Sequence, residues 1–371
     1  LLEAEWAVTP PRPLGGRFRV PDIEVVSVSL LSEDDKRAIL AVDPRVRLTD
    51  AGGWFDGEIA ETWPAQTART HAQNAAGAPP KSERDAALAK AEVILHGFPY
   101  PLDLRARSPR LKWSHQRNAG ANNLWRGDLW KSDVTVTTSR GEIAPYPIAE
   151  YAVAGLLHAA RDFNQAAADR LAGAFERAKY QPVLLASKTV CIVGAGGIGQ
   201  IAGRLLAGLG MTVLGVRHSV RPGDRLPDGF SDMRGGDGLI ELLSRSHAAV
   251  ISCQLTKDTE NLMNAQAFAA MQPGSLIVNV ARGEVVDEDA MLEALDSGQL
   301  KGAVLDVFRG EFDGPPPQRL WNHPGILITP HNSPRAGGGL GGMGIRIFCE
   351  NLRAYLDGRP LANAIDWERG Y

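Results

Sequence analysis

Cysteine is scarce in this chain. Cys191, Cys253 and Cys349 are the three present among 371 residues, and two of them fall inside apolar runs that read as buried strands. An odd count in buried strands excludes a disulfide framework and points to reduced thiols in a cytoplasmic setting. Charge of one sign is lacking too. Lys and Arg number 40 against 43 Asp and Glu, for a net charge of −3. No electrostatic footprint for nucleic acid or an anionic membrane exists. No apolar run reaches the roughly 20 residues of a membrane span, and the N-terminus has no charged-then-apolar leader pattern. The chain starts Leu1-Leu2 without Met, which reads as a processed or trimmed end. No internal repeat is visible, and no metal is expected.

What is present is an ordinary globular composition, 44% hydrophobic and 22% charged, over a length that suits two domains. The organising stretch is Thr189-Val190-Cys191-Ile192-Val193, followed by Gly194-Ala195-Gly196-Gly197-Ile198-Gly199. Apolar β-formers give a buried strand, the glycines end it, and Ile201, Leu205, Leu206 and Leu209 then recur at helical spacing. Strand, G-x-G-x-x-G and helix together hold a pyrophosphate. The first Gly permits the turn, the second lets backbone approach phosphate, and the third lets helix pack on strand. With 40 glycines the motif alone would be weak, and the flanking strand and helix give it weight.

Upstream, residues 1 to about 20 read as a surface arm. Strands are expected at 23–28, 46–48, 92–95, 111–114 and 133–137, with a capped helix starting at Ser32-Glu33-Asp34-Asp35. From Ala51 to Pro80 the chain reads as loop-rich, either functional or a packed surface insertion. Asn118-Ala119-Gly120-Ala121-Asn122 offers small residues with exposed amides, either an anion-binding nest or an ordinary βα turn. Pro147 suits the first turn of a helix bridging into the second domain. Downstream, strands at 211–216, 248–253, 275–280, 302–307 and 326–329 alternate with helical stretches, which argues for a parallel sheet covered on both faces. A glycine-rich run, Gly337 to Gly344, precedes a helix at 345–357.

Three polar stretches follow strands of this series: Val278 to Gly283 with Arg282, Leu305 to Glu311, and Leu327 to His331. Ligands of open α/β sheets bind outside the carboxyl ends of strands, so all three face one crevice with the glycine loop. An Arg to clamp a carboxylate, a His to move the carbonyl-oxygen proton and a Glu to hold that His suit hydride transfer to a 2-keto acid.

With those residues in view, the chain resembles the D-isomer-specific 2-hydroxyacid dehydrogenase family, which includes glyoxylate and hydroxypyruvate reductases. The resemblance rests on Asn118-Ala119-Gly120, Ser139-Arg140-Gly141, Pro147 to Tyr151, the glycine loop, Asn279 to Gly283, Asp306-Val307-Phe308 with Glu311, and Thr329-Pro330-His331. It covers about residues 90–371. It implies two Rossmann-like, doubly wound parallel-sheet α/β domains: a flavodoxin-like substrate domain (1–145, completed by 336–371) and a dinucleotide-binding domain (146–335). By position it implies Arg282, Glu311 and His331 as catalytic residues. The amides of Ala119, Gly120 and Ala121, with Arg282, would hold the substrate. Gly194, Gly196, Gly197, Ile198, Gly199 and Asp306 would hold the cofactor, Asp306 beside the nicotinamide carboxamide. It also implies a homodimer and a small 2-keto or 2-hydroxy acid as partner. A cofactor-sensing interaction protein, similar to the C-terminal-binding proteins of the same family, is the alternative, and turnover separates the two.

Two departures concern local shape and one concerns the cofactor. Phe312 follows Glu311 where the family has Pro, and the segment after His331 is unusually rich in glycine. Hinges are expected near Gly141–Pro147 and in the later glycine run, closing the domains on ligand. At the end of the second strand of the dinucleotide unit, where NAD enzymes place an acidic residue on the ribose, stand Arg217, His218, Ser219 and Arg221. Positive charge there suits a 2′-phosphate, so NADP is favoured, with NAD also usable.

Overall fold

A computed structural model describes residues 22–70, 77–141, 145–221, 223–335, 344–368 and 370. The expected N-terminal arm, residues 142–144 of the expected hinge near Gly141–Pro147 and residues 337–343 of the expected glycine hinge lie outside the described residues.

Two parallel sheets form. The smaller contains β1 (Ile23–Ser27), β2 (Val46–Asp50), β3 (Val93–His96), β4 (Trp113–Gln116) and β5 (Thr135–Thr138) in the order β2-β1-β3-β4-β5. The larger contains β6 (Thr189–Val193), β7 (Thr212–Val216), β8 (Phe230–Arg234), β9 (Ala248–Ile251), β10 (Ser275–Asn279), β11 (Leu300–Leu305) and β12 (Ile326–Ile328). Its order is β12-β11-β10-β9-β6-β7-β8. The first is the flavodoxin-like order and the second the dinucleotide-fold order with one added strand. Both agree with the fold class expected.

Each order reverses once, and the reversal opens a crevice at the strands' carboxyl ends. In the large sheet it lies between β6 and β9. A Cβ on Gly194, just after β6, would stand 2.3 Å from the Cys253 nitrogen, just beyond β9. In the small sheet it lies between β1 and β3, where a Cβ on Gly97 would meet Ser29 Oγ at 2.9 Å. Residues flanking both crevices line one cleft of about 2370 Å³. The fold therefore presents two ligand edges to a single space.

The helix Pro145–Ala160 covers β10 and β11, and a Cβ on Gly155 would sit 2.9 Å from Val304 Cγ1. Late in the chain, the helix Ile345–Leu356 packs on the small sheet. Phe348 stacks on Trp113 with centroids 5.1 Å apart, and Tyr355 donates to Glu92 Oε1 at 2.6 Å. Beyond it the Ile365 amide donates to the Val136 carbonyl at 2.8 Å.

Two elements depart from the expectations. The stretch 51–80 carries two short helices, Asp56–Thr62 and Ala65–Thr70, in place of loop. Phe55, Ile59 and Trp63 recur every fourth residue and are all buried. Gly52-Gly53 and Trp63-Pro64 interrupt the run on either side and hide that short period. β8 is the other. As an edge strand with the sequence FSDMR it buries Phe230 and Met233 and leaves the residues between them at least partly exposed, so it has no continuous apolar signal.

The small sheet encloses two neutral imidazoles. Desolvation holds His96 down to about 4. His115 is held down to about 3 by desolvation first, then by charge on His96 and Arg117. The Trp113 indole donates to Thr137 Oγ1 at 2.9 Å, and Thr137 Oγ1 lies 2.7 Å from His115 Nδ1. The Thr hydroxyl therefore donates to Nδ1, and Nε2–H faces Ser139 Oγ at 3.0 Å. Unfolding below pH 6.5 takes up protons at both residues, so their contribution is complete above pH 6.5 and is lost as pH falls toward 4. Each imidazole changes stability by about 1.4 kcal/mol per pH unit in that window. Thermal midpoints at pH 7.5, 6 and 5 should fall progressively, and less steeply for His96→Gln. A midpoint unchanged between pH 7.5 and 5 contradicts this account.

Candidate active site

The glycine loop is shaped by contacts that only glycine tolerates. Gly194 has φ +96°, and its amide and that of Ala195 both donate to the Val216 carbonyl at 2.9 Å. A Cβ on Gly199 would stand 2.4 Å from the Gly194 carbonyl oxygen and 2.8 Å from Ile192 Cγ2, so the helix Gly197–Gly208 lies directly on β6. Gly196 and Gly197 would place a Cβ in open space. Gly196 is the N-cap, and no side chain caps the helix. Uncapped first-turn amides at a glycine-lined edge of the cleft are what a dinucleotide pyrophosphate requires. Gly194, Gly196, Gly197 and Ile198 line the cleft, and Gly199 serves the packing behind it.

At the far end of this edge, β7 runs out at Val216. Arg217, His218 and Ser219 line the cleft, while Arg217, Ser219 and Arg221 line an adjoining cavity of about 1340 Å³. Arg217 is exposed, and among the described residues its guanidinium has no carboxylate within ion-pair range. Arg234, close by, is already tied to Asp232 at 3.0 Å.

Beyond β10, Asn279 shapes the chain so that Arg282 enters the cleft. Its Oδ1 accepts from the Ala281 amide at 3.0 Å and its Nδ2 donates to the Arg282 carbonyl at 2.9 Å. The guanidinium donates from Nε to Asn122 Oδ1 across the cleft at 3.0 Å and from Nη1 to the Ala281 carbonyl at 2.7 Å. Its Nη2 lies over Gly120, where a Cβ would come within 1.9 Å. Desolvation lowers the guanidinium's pKa, with Glu311 and Glu284 opposing.

Facing Arg282, the amides of Ala119, Gly120 and Ala121 have no protein acceptor among the described residues. Gln116 Nε2 donates to the Gly120 carbonyl at 2.5 Å, so the N–H of that peptide, on Ala121, points the opposite way. Three free amides under one guanidinium make an anion site.

His331 sits beside it with φ +48°, a conformation a β-carbon disfavours. The strain is held by a buried carboxylate. Asp306, 1% exposed, accepts from Thr329 Oγ1 at 2.6 Å, from the Asn332 amide at 2.9 Å and from the Ser333 amide at 3.0 Å. Tyr151 donates to Thr329 Oγ1 at 2.5 Å, and the His331 amide donates to the Asp306 carbonyl at 3.0 Å. Asp306 does not line the cleft. Most of its hydrogen-bonding capacity is spent behind His331. The imidazole donates from Nδ1 to Glu311 Oε1 at 3.2 Å, which leaves Nε2 for the cleft.

Arg282, Glu311, His331 and the three amides thus converge, although they come from separate strand ends. Asn122 and Thr329 escaped the sequence reading as partners. Asn122 lies in the small-residue stretch already noted, but a contact to a residue 160 positions away carries no local signal.

Comparison with known proteins yields a family match. The family model for D-isomer specific 2-hydroxyacid dehydrogenase, NAD binding domain, matches residues 153–333. A D-lactate dehydrogenase of Treponema pallidum (strain Nichols) is 32% identical over 240 residues, 60% of this chain and 69% of that protein. D-3-phosphoglycerate dehydrogenase 2, chloroplastic, of Arabidopsis thaliana is 36% identical over 220 residues, 59% of this chain, and the match spans 34% of that longer relative. Among solved structures, a D-isomer specific 2-hydroxyacid dehydrogenase from Xanthobacter autotrophicus Py2 in complex with NADPH and MES aligns with a TM-score of 0.69. It is 27% identical, with 94% of this chain and 100% of that one covered.

The anion site generates a test. A methyl group at position 120 would displace the flexible end of Arg282 and leave the backbone in place. Losing one charge-assisted hydrogen bond costs about 1.5–3 kcal/mol, or roughly ten- to over a hundredfold in affinity. Gly120→Ala should weaken oxalate binding by that factor in calorimetric titration, with the thermal midpoint kept. Unchanged oxalate affinity would show that the two groups do not share an anion.

Proposed function

The chain belongs to the D-isomer specific 2-hydroxyacid dehydrogenase family, and from that premise we propose that it reduces a small 2-keto acid to the D-2-hydroxy acid. Glyoxylate and hydroxypyruvate are the substrates of choice, NADPH is the favoured donor, and NADH is a second one. The observation that carries the proposal is the pairing of His331 Nδ1 with Glu311 at 3.2 Å, in the same cleft as Arg282 and the amides facing it.

In this reading residues 1–145 with 336–371 hold the substrate, and 146–335 hold the dinucleotide. Gly194, Gly196, Gly197 and Ile198 take the pyrophosphate, and Gly199 keeps the helix end in place. Arg217, with His218, Ser219 and Arg221, takes the 2′-phosphate. The nicotinamide, when bound, supplies the hydride that adds to the carbonyl carbon. The amides of Ala119, Gly120 and Ala121 and the Arg282 guanidinium fix the substrate carboxylate and draw charge toward the carbonyl oxygen. His331 gives the proton from Nε2 to that oxygen as the carbonyl becomes an alkoxide. Glu311, accepting from Nδ1, holds the ring in the required tautomer and balances the positive charge the ring carries. Asp306 acts through the His331 loop as a positioning residue. The three cysteines form no disulfide among the described residues, and a cytoplasmic location is part of the proposal.

A panel of 2-keto acids assayed in parallel with NADPH and NADH tests the activity and the alternative of a binding protein without turnover. Arg217→Asp should raise the KM for NADPH about ten- to a hundredfold and lower that for NADH. Equal or better efficiency of the natural chain with NADH would overturn the cofactor preference, and absence of any turnover would overturn the enzyme.

A homodimer completes the proposal. Phe163, Leu171, Phe175 and Leu184 are 53%, 86%, 104% and 71% exposed on the segment that follows the helix Pro145–Ala160. Apolar side chains this exposed and this closely spaced suit a second copy of the same surface. Light scattering should give twice the chain mass, and Leu171→Asp with Phe175→Asp should halve it. A monomer before substitution would refute the assembly.

A further inference from the structure

Phe312 occupies the position where the family carries proline, and its surroundings give it a use. Its ring lies 4.9 Å from that of Phe98 at 63° and 6.3 Å from the His331 ring. Phe98 in turn meets Trp63 edge-on at 5.1 Å. Phe98 belongs to the small-sheet crevice and Phe312 to the loop after β11, so the aromatic pair spans the cleft from one sheet's edge to the other's.

The loop that presents Phe312 is fastened on the opposite side. Thr67 Oγ1, on the helix Ala65–Thr70, donates to the Phe312 carbonyl at 2.6 Å. Asp313 pairs with Arg126, whose guanidinium lies 5.8 Å above the Trp63 ring. Trp63, Phe98, Phe312, Asp313 and Arg126 therefore close a circuit of contacts, two members from one side of the cleft and three from the other. The helices of the 51–80 stretch find their place here, as the abutment for this loop.

A 2-keto acid has three substituents at its carbonyl carbon. Its carboxylate is assigned to the amides under Arg282 and its oxygen to His331. In that reading the third substituent, the side chain, is left the flank of His331 where Phe312 lies, its ring against that of Phe98. Two touching aromatic rings offer that group neither a hydrogen bond nor a charge. Arg126, the guanidinium in the circuit, is already neutralised by Asp313.

Resting on the reductase reading above, we propose that Phe312 determines substrate specificity. Its ring caps the side-chain pocket against Phe98, so that hydrogen, methyl or hydroxymethyl is accepted and branched or phosphorylated side chains are refused. Thr67 is a positioning residue that sets the ring through the peptide carbonyl. A single methylene of misfit in an apolar pocket is worth about 10- to 200-fold in kcat/KM, so one ring suffices for such a filter.

The experiment measures kcat/KM with NADPH for glyoxylate, hydroxypyruvate, 4-methyl-2-oxopentanoate and 3-phosphohydroxypyruvate. The natural chain should prefer glyoxylate or hydroxypyruvate. Phe312→Ala should raise the ratio of 4-methyl-2-oxopentanoate to glyoxylate at least fivefold, chiefly through the KM of the larger acid. Thr67→Val should move the same ratio in the same direction, and adding it to Phe312→Ala should change nothing further. A ratio that rises less than fivefold in Phe312→Ala overturns the filter, as does a natural chain that already prefers the branched or phosphorylated acid. If Phe312→Ala lacks the native thermal transition, Phe312→Leu takes its place with a threshold of threefold. Turnover of none of the four acids by the natural chain is the distinct failure, since it removes the reductase reading itself.

Discussion

Both sheets are parallel and covered on both faces, so the carboxyl edges of their strands are where backbone and side chains are free to meet a ligand. That constraint governs everything else in the molecule. Each sheet has one reversal of strand order, and the connections bring the two reversals into one cleft. The large-sheet edge supplies glycines, uncapped amides and, among the described residues, an arginine without a carboxylate partner. The small-sheet edge supplies three amides without an acceptor among the described residues, and the ring of Phe98. The Arg282 guanidinium over Gly120, bonded to Asn122, is where the two edges meet.

Placing His331 at such an edge requires a loop that would not hold its own shape. His331 has a positive φ, which costs a non-glycine residue about 1–3 kcal/mol. Asp306 supplies the compensation, as a buried carboxylate with three donors directed at it. A buried charge is tolerable only when hydrogen-bonded in this way, so carboxylate and loop stabilise each other. Tyr151 extends the network through Thr329 to the helix Pro145–Ala160. The geometry of one imidazole is thus tied to a helix that packs on β10 and β11.

Much of this was legible in the sequence because parallel strands buried on both faces read as unbroken apolar runs. β6, β9, β10 and β11 are of that kind, and the glycine loop and the Arg282 and Glu311 positions follow from where those runs end, as His331 follows the shorter β12. β8 was not legible, since this edge strand buries only Phe230 and Met233 and offers no apolar run. The helices at 56–62 and 65–70 were hidden by their brevity and by the glycines and proline around them. Asn122, Thr67 and Phe312 are important through partners far away in sequence, and no local pattern encodes a distance of that sort. Phe312 did stand out, as a departure from a resemblance. Its meaning required Phe98 and Thr67 in space.

The helix Ile345–Leu356 has a consequence for how the protein is made. It completes the core under Trp113, Val25 and Val93, on the sheet whose strands leave the ribosome first. During synthesis that sheet waits for the helix Ile345–Leu356, with the apolar face beneath Trp113 uncovered and prone to association. The large sheet, whose strands are consecutive, is finished earlier. The domain begun first is closed last. Nascent chains halted before Ile345 should accordingly show protease cleavage in the small sheet while the large one resists. The half of the molecule that carries the amides under Arg282 thus depends for its closure on residues far downstream of them.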